Sequence, residues 1–79
     1  MELSKLLKEL RVSMGMTQMD IARALHLSFS TVNRWENDRA RPNRLACVTI
    51  LSLAKDKYVP EELLCELEIA LFGDTEKER

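Results

Sequence analysis

The chain has 79 residues, 46% of them hydrophobic, which is enough for one modest core and leaves no room for a second domain. Its net charge of −1 conceals a division, because residues 1–59 carry ten Lys or Arg against six Asp or Glu, whereas residues 60–79 carry two against seven. A basic side therefore exists, but it is local.

The opening MELSKLLKEL, charged at Glu2, Lys5, Lys8 and Glu9, reads as neither a signal peptide nor a transit sequence. The longest apolar tract, Leu45 to Ala54, is interrupted by Thr49 and Ser52 and is too short to span a bilayer. A cytoplasmic protein is expected.

Leu3, Leu6, Leu7, Leu10 and Met14 recur at the helical period and Gly15 follows as a stop, so a first helix is predicted over about residues 2–14. Thr17 with Asp20 three positions on makes a short capping box, and Gln18, Ile21, Ala22 and Leu25 then share one face of a second helix, TQMDIARAL. Ser28 caps again, which starts a third helix at Phe29 that runs to about Asn37. The polar, basic segment DRARPN is read as a loop before Asn43 caps a fourth helix over about 44–57. Pro60, backed by Glu61 and Glu62, begins a fifth helix to about Phe72, and the acidic tail GDTEKER at 73–79 is expected to fray. The fold expected is all-α, one compact five-helix bundle over residues 1–72.

Cys47 and Cys65 each lie in an apolar helical pattern with no CxxC spacing and no neighbouring His, so both are read as buried free thiols rather than a disulfide or a zinc site. One lone His, no paired carboxylates at a useful spacing and no Gly-rich phosphate loop argue against catalysis and against a cofactor.

Only three residues separate Leu25 from Phe29, and so tight a link turns the third helix sharply across the second. That is the geometry of a helix-turn-helix, whose second member can lie in a DNA major groove. On the third helix, Val32 and Trp35 point to one side while Ser30, Asn33, Arg34 and Asn37 gather on the other, at about 100° per residue. Ser, Asn and Arg are side chains able to read base edges: Arg34 can present two donors to guanine, and Asn33 can pair with adenine or reach a phosphate.

The run TQMDIARALHLSFSTVNRWEN, followed by RARPN and an apolar helix ending LSLA, resembles the phage repressor and Cro-like helix-turn-helix family of the xenobiotic-response-element type, with the lambda-repressor-like fold that this implies. The resemblance spans about residues 3–56 and rests on Thr17, Gln18, Ile21, Ala22, Leu25, Ser28, Val32, Trp35, Glu36, Asn37 and Pro42. It departs at His26 and Asp38, where Gly is usual in that family, and a left-handed backbone there costs a non-glycine residue about 1 kcal/mol. The resemblance implies that Phe29, Ser30 and Arg34 read bases, that Gln18 contacts phosphate and steadies the reading helix, and that Arg39, Arg41, Arg44 and Asn37 meet the DNA backbone. Trp35 is read as a core residue.

The fifth helix carries Leu63, Leu64, Leu67, Ile69, Ala70, Leu71 and Phe72, more apolar surface than one face can hide. Leu63, Leu67, Leu71 and Phe72 are therefore expected to form a homodimer interface, which would match a two-fold, pseudo-palindromic operator in double-stranded DNA. The expected function is a sequence-specific transcriptional regulator, a repressor. The other reading open at this point is a protein-interaction module of the same fold that works mainly through the fifth helix, as antitoxin-like partners do.

Overall fold

A computed structural model describes residues 2–77. Five helices follow in order: α1 (Leu3–Ser13), α2 (Gln18–Leu25), α3 (Phe29–Glu36), α4 (Arg44–Asp56) and α5 (Glu61–Lys77), and no strand occurs among the described residues. Each start has a local cause. The Thr17 hydroxyl accepts from the Asp20 amide at 3.1 Å while the Asp20 carboxylate accepts from the Thr17 amide at 2.9 Å, which closes the capping box of α2. The Thr17 backbone amide, and after it the Thr17 side chain, hold the Asp20 carboxyl below its ordinary value. Ser28 and Asn43 accept from Thr31 and Ala46 in the same way, starting α3 and α4.

The ends of α1 to α4 share one closure. Met16, Leu27, Arg39 and Val59 donate their amides back to Arg11, Ala22, Arg34 and Ala54 across a residue of positive φ, which is the Schellman pattern. Gly15 fills that position after α1, but His26, Asp38 and Tyr58 fill it after α2, α3 and α4, with φ of 60°, 60° and 57°. The two left-handed sites expected at His26 and Asp38 are thus present, and Tyr58 is a third that the sequence reading did not single out.

The fifth helix runs past its expected end at Phe72, because Gly73 takes no positive φ and the chain continues helical to Lys77. The expectation of a frayed tail over 73–79 falls partly on Glu78 and Arg79, which lie outside the described residues.

Packing joins α1 to α3 and α5, α2 to α3 and α4, and α4 to α5. Leu6, Leu10, Ile21, Ala22, Val32, Trp35, Ile50, Ala54 and Leu67 fill the core between them. Cys47 is buried, and burial pushes its thiol pKa up, but Cys65 is exposed, which corrects the expectation that both thiols are interior. Among the described residues no helix is long and apolar enough to cross a membrane.

Candidate nucleic-acid interface

Two helices make the site, and the turn between them is short because α2 closes at His26 and α3 opens at Ser28. Val32 and Trp35, 2% and 6% exposed, anchor the inner face of α3. Glu36 is as deeply buried, at 6%, and a buried carboxylate requires a partner. Arg11 of α1 supplies it: Nε donates to Oε2 at 2.9 Å and Nη2 to Oε1 at 3.2 Å, a two-pronged ion pair. A third Arg11 donor reaches the Met16 carbonyl at 3.2 Å, so one guanidinium ties α1, the entry to α2, and α3 together.

From Glu36 the network runs outward. Gln18 Nε2 donates to Glu36 Oε1 at 2.9 Å, and Gln18 Oε1 accepts from Asn33 Nδ2 at 3.0 Å. Asn37 Nδ2 then donates to the Asn33 carbonyl at 2.8 Å and to Asn33 Oδ1 at 3.1 Å. The first residue of α2 is therefore bonded to the middle of α3, which fixes the rotation of α3 about its own axis. Beyond this chain of amides, Phe29, Ser30 and Arg34 are exposed along the outer face of α3.

A model of the helix-turn-helix family matches residues 7–53, from the first helix through most of the fourth, with both helices of the turn inside it. The chain belongs to the Cro/repressor-like helix-turn-helix family. This is a family of DNA-binding regulatory domains rather than an enzyme family, which makes the chain a DNA-binding transcription regulator. Comparison with curated proteins and with solved structures gives no match.

Within this Cro/repressor-like chain the expected site residues divide by what holds them. Gln18 joins α2 to α3 through its side-chain amide, which bonds Glu36 and Asn33. Asn33 gives one amide proton to Gln18 and accepts from Asn37 at its carbonyl oxygen, so it forms a strut between α2 and α3. Arg39 is exposed on the loop. Its two companions turn toward α5 instead. Arg41 Nη2 donates to the Ala70 carbonyl at 3.3 Å, and the Arg44 guanidinium lies 6.0 Å from the centre of the Phe72 ring.

The four residues expected at a dimer surface differ in exposure. Leu67 is fully enclosed and Leu71 only 9% exposed, because α5 packs on α1 and α4 at once and its leucine stripe serves both. Leu63 and Phe72 are half-buried against the same core. Among the described residues of α5, the large apolar side chain left most in solvent is Ile69, 72% exposed.

Arg11 was absent from every expected site. Its link to Glu36 spans 25 positions, so no local pattern announces it. The available signal lay in Glu36 itself, four residues after Val32 and so on the buried face, where a carboxylate demands a cation.

Proposed function

We propose that the chain is a repressor that binds double-stranded operator DNA in the cytoplasm as a homodimer, without a cofactor, and lays α3 in the major groove. The observation that carries this reading is the outer face of α3: Phe29, Ser30 and Arg34 stand exposed on a helix whose rotation is locked by Gln18, Asn33 and the Arg11–Glu36 pair. A locked helix can hold side chains to the tolerance that base recognition requires. In this assignment Arg34 reads a guanine, Ser30 and Phe29 the neighbouring base edges, and Asn33 sets their register. Gln18, Asn37, Arg39, Arg41 and Arg44 are assigned to the phosphates; Arg39 is exposed on the loop, whereas Arg41 and Arg44 must leave their contacts with α5 to reach them.

Fluorescence anisotropy with random duplex, at low and at moderate salt, tests the reading. The expected result is binding that weakens steeply with salt, and tighter binding to fragments recovered by selection. No binding even at low salt would overturn it in favour of the protein-interaction reading, for which exposed Ile69 on α5 is the supporting observation.

A further inference from the structure

The buried state of Leu67 and Leu71 leaves the proposed homodimer without the surface first expected for it, and a different surface has the right chemistry. Helices α1 and α5 run antiparallel: Leu3 shares a cleft with Leu71 and Phe72, and at the other end Val12 shares a groove with Pro60. That groove has a volume of about 670 Å³. Its apolar floor includes Val12, 66% exposed, and half-buried Leu63.

The walls carry opposite charge. Lys5 and Lys8 stand on the α1 side, which stays net positive although Glu9 is also there, and Glu62 and Glu66 stand on the α5 side. All four are exposed, and none forms an ion pair among the described residues. The two walls face out of the chain without reaching each other.

We propose that this groove is the homodimer interface, occupied by the same groove of a second copy; the inference rests on the dimeric reading above. A two-fold axis lying along the groove places each copy's α1 opposite the partner's α5 at the same height. Lys5 and Lys8 of each copy then meet the partner's Glu62 and Glu66 twice over, and the two apolar floors close on one another. The competing exposed apolar residues on α4, Leu45 and Val48, offer no such pair of oppositely charged walls, since the one charged side chain lining the cleft beside Leu45 is Arg41.

Charge exchange tests the interface, with full-length protein followed by sedimentation. Lys5→Glu with Lys8→Glu, and separately Glu62→Lys with Glu66→Lys, should each raise the dimer dissociation constant at least about tenfold. An equal mixture of the two variants should restore the dimer, as should all four substitutions in one chain, and circular dichroism of each variant checks that these exposed changes leave the helices intact. If each double variant dimerises as tightly as the unaltered chain, or if the mixture stays monomeric, the groove is not the interface. A different result separates the underlying reading: an unaltered chain that remains monomeric when bound to a selected duplex removes the homodimer itself.

Discussion

Arg11 and Glu36 meet through two hydrogen bonds of 2.9 and 3.2 Å, with the Glu36 side chain 3% exposed and that of Arg11 20% exposed. Removing one partner leaves a charge in the interior without compensation, whereas removing both does not. Arg11→Met should therefore cost about 2 to 4 kcal/mol, the upper part of the buried-pair range being withheld because Arg11 keeps some contact with water. In a double-mutant cycle with Glu36→Gln, urea unfolding should show a coupling of about 1 to 3 kcal/mol. Strictly additive losses would remove the pair from the account of why α3 is rigid.

The three left-handed residues supply a stabilising test. His26, Asp38 and Tyr58 each close a helix at φ near 60° where glycine carries no side-chain penalty. Replacing each by Gly should stabilise the fold by about 0.5 to 1 kcal/mol. For a chain of this size that is a rise of roughly 4 °C per substitution in a thermal melt. Gly15→Ala, at φ 68°, should move the melt the other way.

Phe29 opens α3 with 48% of its surface in solvent, so it contributes little to the core. An apolar ring at that position can touch a thymine methyl but cannot hydrogen-bond a base edge. Phe29→Ala should leave the melting temperature nearly unchanged and lower affinity for a site with thymine at one fixed position. Exchanging that thymine for uracil, which deletes only the methyl, should weaken the unaltered protein and leave the variant indifferent. A collapse in stability with no uracil effect would return the ring to the core.

The arginines near the end of α3 are not equivalent, and alanine substitution should separate them. Arg39→Ala should weaken binding to all duplexes alike and reduce the magnitude of the salt slope by about one unit, with the thermal melt unmoved. Arg41→Ala and Arg44→Ala should also lower the melting temperature, because the first loses its bond to the Ala70 carbonyl and the second its contact with Phe72. Arg34→Ala differs in kind: it should cost about 1 to 3 kcal/mol on the selected site and relax preference at one base pair in each half-site. Equal weakening on every sequence would reassign Arg34 to the backbone.

Much of this protein is legible in its sequence because helix boundaries are local events. Thr17 and Asp20, Ser28 and Asn43 declare their helices within three residues, and the periodic leucines and Val32 with Trp35 declare which face goes inside. The tight link between Leu25 and Phe29 implies the helix-turn-helix on the same grounds. What the sequence left open depends on which helices meet. Two periodic stripes look alike whether they face one neighbour or two, so Leu67 and Leu71 read as spare apolar surface until α5 is seen to pack on both α1 and α4. Cys65 likewise faces solvent, since it lies two positions before enclosed Leu67 and so on the other side of α5. Arg41 and Arg44 turn to α5, and Arg11 finds Glu36 across 25 residues, through approaches that no spacing along the chain encodes. Short-range geometry determined the elements and the outer face of α3; the assembly of the helices decided which polar and apolar side chains remained for a partner.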